Sequence, residues 1–415
     1  MPNEGAIMDA VVVGAGQAGL GVSYHLVRAG VRHRVLERGR IGESWRSQRW
    51  DAFRMNTVNA MTVMPGQRYQ GPDPEGFMSQ HGWVELLEKC AAGNCLPVET
   101  GTPVVDLASV GTVAGLYLVS SPWETILARS VVIASGGNVL SRLPSSAGSL
   151  SADLAQLHST DYRNPAGLPA GAVLVVGAGN SGCQIAEDLL DAGRIVYLAT
   201  CRVGRLPRRY RGRDTIVWAH DTGFADERTE DVTDRSVLTR GRPQTAPGHT
   251  VSLQSLSAQG VILLGRFLRA EGPQLRFADD LEENIAFADR ASAAAKRRID
   301  ADIERLGLHA SPAEEDPAET IAPRLLDPPI LSLDLAACGI SAVIWCTGLD
   351  GDFGWVRLPG VLDGQGRPVH EQGVTTCAGI YFTGLPWLSA RRSDLVSGVE
   401  RDAPRIAGLV VARCR

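Results

Sequence analysis

A glycine-rich β-α-β pattern is written twice in this chain, and nothing else in the sequence restricts its fold as strongly. Asp9–Arg38 reads DAVVVGAGQAGLGVSYHLVRAGVRHRVLER, and Gly171–Arg202 reads GAVLVVGAGNSGCQIAEDLLDAGRIVYLATCR. Each begins with an apolar, β-branched run fit for a strand buried on both faces. A glycine-rich turn follows, then a stretch of helical periodicity, a glycine stop and a second apolar run. Two such units imply an α/β chain with two dinucleotide-binding, Rossmann-like domains.

The glycines have separate tasks. In Gly14-Ala15-Gly16-Gln17-Ala18-Gly19, Gly14 permits a tight turn, Gly16 lets backbone approach a pyrophosphate, and Gly19 lets helix and strand pack closely. The pyrophosphate then meets the positive end of a helix. Glu37 closes the second strand, where a carboxylate accepts hydrogen bonds from a ribose diol. In the second motif, Gly177-Ala178-Gly179-Asn180-Ser181-Gly182, the corresponding strand ends Ala199-Thr200-Cys201-Arg202 with no acid. A carboxylate there would repel a 2′-phosphate, whereas an arginine can fork onto one. The second site is therefore expected to take NADPH, with Arg202 as the 2′-phosphate contact and Arg205 behind it. An acid at one site and a base at the other fit a chain that passes hydride from a nicotinamide to a flavin.

Between the units the pattern predicts a helix around Trp83–Ala92 and strands ending in RSVVIASGG, Arg129–Gly137. An arginine-rich region without periodicity runs from Cys201 to Thr250. After it come a hairpin-like pair split at Glu271-Gly272, an exposed amphipathic helix over Asp280–Gly307, and apolar strands at Ser341 and Gly379. A last helix spans Asp402–Val411. The expected organisation is an FAD-binding domain made from both chain ends, residues 1–164 and 331–415, with an NADPH-binding domain, 165–330, inserted in it.

A formal charge of −5 argues against nucleic acid or an anionic membrane surface as partner. The start, MPNEGAIMDA, lacks the pattern of a secretory signal, and no apolar run is long enough to span a bilayer, so a cytoplasmic location is expected. The eight cysteines are scattered, without C-x-x-C or metal-site spacing, and no metal is expected. Cys90 and Cys95 keep open the alternative of an FAD/NADPH disulfide-type reductase, whose chemistry needs a dithiol beside the flavin.

The stretches VVGAGQAGL, GESW (Gly42–Trp45), FRMNT (Phe53–Thr57), GNSGCQIAEDL (Gly179–Leu189) and YFTGLPWL (Tyr381–Leu388) resemble the class B flavoprotein monooxygenases. These comprise the flavin-containing, Baeyer–Villiger and N-hydroxylating monooxygenases, and the resemblance covers nearly the whole chain. It implies an FAD domain with an inserted NADP domain. It places Ser44 and Trp45 against the flavin, with Thr57 in the same loop, and makes Asn56 the catalytic asparagine. It puts Asn180 and Ser181 at the NADP pyrophosphate. It further implies NADPH reduction of FAD and oxygen transfer from a flavin C4a-(hydro)peroxide to a small substrate at an amine nitrogen or sulfur, with Baeyer–Villiger oxidation of a ketone as the alternative. The expected partners are a small molecule and O2, with a homodimer left open.

One departure stands out. The family fingerprint F-x-G-x-x-x-H keeps His158, and Tyr162 four residues on, but Ala152 and Leu154 replace the Phe and Gly. Trp50, Phe53, Trp218, Trp355, Trp387 and Tyr210 are candidates to line an apolar pocket, and SARRSD, Ser389–Asp394, is the expected substrate-facing patch.

Overall fold

The computed structural model of the chain describes residues 7–111, 115–151, 153–239 and 241–415. Its first β-α-β unit is β1 (Ile7–Val13), α1 (Gln17–Arg28) and β2 (His33–Leu36), with β1 and β2 parallel and Val12 beside Val35. The second is β9 (Ala172–Val176), α4 (Asn180–Asp191) and β10 (Val196–Ala199), also parallel, with Leu198 beside Val175. Both leading strands are buried along their cores, which is why they read as unbroken apolar runs.

The first sheet adds β3 (Val98–Glu99), β4 (Asp106–Ser109), β5 (Tyr117–Ser120), β6 (Thr125–Ile133) and β19 (Ile380–Phe382). Its order is β3-β2-β1-β6-β5-β4, with β19 also on β6. The length of β6 allows this: Thr125–Ala128 pair antiparallel with β5, and Val131–Ile133 pair parallel with β19. The short α2 (Glu43–Ser47) follows β2, and α3 (Gln80–Gly93) and α9 (Val399–Cys414) flank α1. α9 fits closely because Gly21 has no side chain, and a Cβ there would stand 2.3 Å from Val399 Cγ1.

The second sheet is wholly parallel, in the order β13-β10-β9-β17-β8, with β8 at Ala155–His158, β13 at Ile262–Leu264 and β17 at Ile340–Trp345. Boundaries at 165 and 330 would cut β8 and β17 from the sheet that holds them, so we propose that the inserted domain runs from about residue 154 to 346. The tail strand SAVIWC therefore lies between β9 and β8, not in the first sheet. Ile262–Leu264 likewise belongs to this sheet, and the hairpin itself is β14 (Phe267–Glu271) with β15 (Gln274–Phe277), extended by β16 (Ser332–Asp334). Periodicity could not tell a buried parallel edge strand from the first arm of a hairpin.

The two chain crossings run together. On the way in, β7 (Leu140–Ser141) pairs antiparallel with β18 (Leu349–Asp350) on the way out, with Ser141 opposite Leu349. The arginine-rich region holds a two-stranded turn, β11 (Arg209–Tyr210) and β12 (Arg213–Asp214), then α5 (Thr215–Asp221). α6 (Leu253–Gln259), α7 (Leu281–Leu306) and α8 (Pro317–Thr320) complete the second domain. Among the described residues no helix is long and apolar enough to cross a membrane.

Candidate functional site: two glycine turns and the cavities between them

The two glycine motifs are near copies in three dimensions. A Cβ on Gly14 would stand 2.6 Å from the Ala134 carbonyl oxygen, and one on Gly177 would stand 2.5 Å from that of Cys346. Both glycines have positive φ, +108° and +107°. A Cβ on Gly19 or Gly182 would strike the first glycine of its own motif, at 1.9 and 1.7 Å. Gly16 and Gly179 are different: each caps a helix with no side-chain cap, and a Cβ on either would meet nothing within 4 Å. The first and third glycines are thus demanded by packing. The middle one leaves room in front of free helix N–H groups, which suits a pyrophosphate. Cys346 serves as the floor of the second turn.

The first turn opens on a cleft of about 380 Å³ lined by Gly14, Gly16, Gln17, Ala18, Glu37, Ser44 and Trp45, among others. Glu37 is buried there. One of its oxygens accepts from Ala15 N at 2.7 Å and the other from Gly39 N at 2.9 Å, leaving further acceptor capacity for a diol. Gln17 Oε1 and Ser135 Oγ are buried at this cleft without protein partners. Buried polar atoms are rarely left unpaired, so the cleft is built for a polar ligand along its length. FAD fits that donor and acceptor set.

A second cavity, about 250 Å³, joins the two halves: it is lined by Asn56, Thr57, Asn180, Ser181 and Gln184, with Trp50, Phe53, Met55, Leu395 and Val396 as apolar wall. Gln17, Trp45, Arg49 and Asp394 line both cavities, so these meet. Asn56 Oδ1 accepts from Gln184 Nε2 at 3.2 Å, and the same nitrogen donates to the Thr245 carbonyl at 2.8 Å. A carbonyl only accepts, so Gln184 must turn its nitrogen there, and Asn56 must turn its oxygen to Gln184. Asn56 Nδ2 remains as a free neutral donor. Its backbone is pinned as well, with its carbonyl accepting from Arg208 Nη1 at 3.0 Å. Arg208 is only 2% exposed and is held by the equally enclosed Asp214, and burial lowers its pKa.

Gln184 and Arg208 escaped the sequence reading. Gln184 had a signal: four residues after Asn180, it shares that residue's face of α4. Arg208 had none, since its burial depends on Asp214 and on carbonyls of residues 56 and 246.

Other expectations need correction. Arg205 is 2% exposed and bound to Asp289 at 2.7 Å and Glu319 at 3.1 Å. A guanidinium already enclosed by two carboxylates has no fork to offer a phosphate. Arg202 is exposed at the end of β10, beside Glu283, and keeps the candidacy. In SARRSD, Arg391 and Arg392 are taken by Glu227 and Asp226, and only Asp394 reaches the cavities. Trp50, Phe53 and Trp355 line cavities, but Trp218 and Tyr210 pack in a separate small core with Ile299. Asn180 uses its side-chain oxygen to accept from Thr245 N at 2.9 Å.

His158 joins the crossings, with Nε2 3.0 Å from the Gly348 carbonyl and Nδ1 3.1 Å from Thr160 Oγ1; it lines neither cavity. Tyr162 donates to Asp188 on α4 at 2.5 Å. Of the replaced fingerprint positions, Leu154 packs at the edge of the core beneath β17, and Ala152 lies outside the described residues. Neither Cys90 nor Cys95 lines a cavity, and burial raises the Cys90 thiol, which disfavours the thiolate a dithiol reductase needs.

A family model described as pyridine nucleotide-disulphide oxidoreductase matches residues 11–209. An uncharacterized CzcO-like oxidoreductase of Geobacillus kaustophilus is 29% identical over 399 residues, 96% of each chain. The indole-3-pyruvate monooxygenase YUCCA1 of Oryza sativa is 29% identical over 214 residues, 51% of this chain and 52% of its own. A flavin-containing monooxygenase from Stenotrophomonas maltophilia shares the fold, with a TM-score of 0.65, 20% identity and 99% of both chains covered. Two cavities that meet, with no cysteine lining either, thus lie in a chain similar along nearly its whole length to an oxidoreductase and sharing the fold of a flavin-containing monooxygenase.

Proposed function

We propose that this chain uses FAD and NADPH to place one oxygen atom of O2 on an amine nitrogen or a sulfur of a small organic molecule. The observation that carries this reading is Asn56, whose free amide donor lines the second cavity, held by Gln184. Bound FAD and NADPH would supply hydride transfer and the activation of oxygen. Gly16, Gln17, Glu37, Ser44 and Trp45 would hold the flavin nucleotide, and Gly179, Ser181 and Arg202 the nicotinamide nucleotide. Asn56 orients an oxygen or amide group by donating a hydrogen bond without adding charge, and Trp50, Phe53 and Met55 exclude water.

Baeyer–Villiger oxidation is the second reading, favoured by Arg49: positive charge at the cavity stabilises an anionic nucleophile, the kind that attacks a ketone. Steady-state NADPH consumption with a panel of amines, sulfides and ketones, paired with product mass, decides between them. Gain of one oxygen by amines or sulfides is expected. Lactone or ester formed only from ketones overturns the first reading, and NADPH consumption with no oxygenated product overturns both.

A further inference from the structure

Among the described residues, no acid pairs with Arg49. Its Nη1 donates to the adjacent Gln48 carbonyl at 2.8 Å. Its guanidinium carbon stands 4.7 Å from the Trp45 ring centre and 5.4 Å from that of Phe53. The enclosed arginines Arg205, Arg208, Arg391 and Arg392, by contrast, each hold a carboxylate. Asp394, the one carboxylate lining both cavities beside Arg49, is occupied by Arg242. Arg49 therefore bears a charge with no carboxylate partner among the described residues, over two neighbouring aromatic rings, and burial lowers its pKa to about 10.

Enclosing a charge is costly unless a counter-charge meets it. Two cation–π contacts offset part of that cost and hold the guanidinium in place, and its remaining N–H donors have no acceptor among the described residues. A planar donor fork so held matches a carboxylate or phosphate edge. We propose that Arg49 is an anion-binding residue at the junction of the two cavities, taking an oxyanion of a bound ligand. The oxyanion belongs either to the carboxylate of an aryl or alkyl substrate, whose body would lie on Trp50, Phe53 and Met55, or to a phosphate of the dinucleotide. The inference rests on the assignment of the two clefts to FAD and NADPH.

The test compares wild type with Arg49→Met and Arg49→Lys. FAD affinity is measured on deflavinated protein, and the perturbation of the flavin spectrum is titrated with phenylacetate and with its neutral analogue phenylacetamide. A tenfold or greater loss of FAD affinity in Arg49→Met assigns the oxyanion to the cofactor. Unchanged FAD affinity with a tenfold or greater loss for phenylacetate, and none for phenylacetamide, assigns it to the substrate. If the Met variant does not fold, Arg49→Lys carries the comparison: a point charge without the planar fork loses several-fold on the same ligand. FAD and phenylacetate affinities both within twofold of wild type, in a folded variant, overturn the proposal. Wild-type protein that takes up no FAD fails earlier, and overturns the cleft assignment with it.

Discussion

Gln184 Nε2 lies 3.2 Å from Asn56 Oδ1, so a helix of the inserted domain sets which end of an amide the flavin-side loop presents. Replacing Gln184 with Leu removes that constraint while keeping much of the volume. A hydrogen bond of this kind contributes about 1 kcal/mol, which converts to a several-fold change in rate. The expected result is a kcat several-fold lower, more hydrogen peroxide released per NADPH consumed, and unchanged FAD content. A purely structural role would lower the melting temperature and leave the coupling ratio alone.

The glycines separate binding from folding. Gly16→Ala is expected to yield a folded protein with weakened FAD uptake, because its Cβ meets no protein atom and projects into the space a pyrophosphate would need. Gly19→Ala is expected to lower thermal stability first, because its Cβ would lie 1.9 Å from Gly14 O. Gly179→Ala should keep FAD and raise the KM for NADPH. Flavin absorbance and melting curves of the three variants check all of this.

Arg202 and Glu283 form an exposed pair, so neither is costly to change. Arg202→Ala should raise the KM for NADPH about tenfold with little effect on NADH, as expected when a charge-assisted phosphate contact is lost. Glu283→Gln frees the guanidinium and should lower the KM for NADPH. Equal shifts for both nucleotides would exclude the 2′-phosphate assignment.

Arg208 and Asp214 are a buried pair, and removing one partner leaves the other uncompensated. Arg208→Met is expected to cost about 3–5 kcal/mol, read as a drop in denaturant midpoint. The double variant Arg208→Met/Asp214→Leu should recover part of it.

Four imidazoles, His25, His33, His158 and His370, have pKa values lowered from 6.5, each chiefly by burial, against one, His249, raised by its hydrogen bond to Glu187. The unfolded chain then binds protons more readily than the folded one, so stability rises with pH in that range and falls as pH drops below about 6.5. His158→Gln should flatten part of this acid slope in melting temperatures taken from pH 7.5 to 5.0. An unchanged slope would place the effect on other groups.

The sequence was most informative where a local rule forces a residue. Gly14, Gly16 and Gly19 could be assigned tasks before any coordinates, because turn, cradle and packing each need a missing side chain, and the second motif repeats those contacts. Ser44 and Trp45 line the first cavity and Asn56 the second, and that much follows from short local motifs. What escaped depends on contacts far apart in sequence. Arg202 and Arg205 look alike in a string of arginines, yet Glu319 and Asp289, more than 80 positions away, enclose only Arg205. The pairing of β8 with β17 was illegible for the same reason: nothing near Ala155 or Ser341 announces that their strands lie side by side.

Ser141 and Leu349 are cross-strand partners on the ribbon formed by the two crossings. Paired residues of that kind have Cα atoms roughly 5 Å apart, so the ends left by excising residues 142–348 would already be neighbours, and a two-residue turn would close the gap. The first sheet is therefore topologically whole without the second. Residues 1–141 joined by Asn-Gly to 349–415 would keep every strand of the first sheet, so the intervening segment is attached at a single seam.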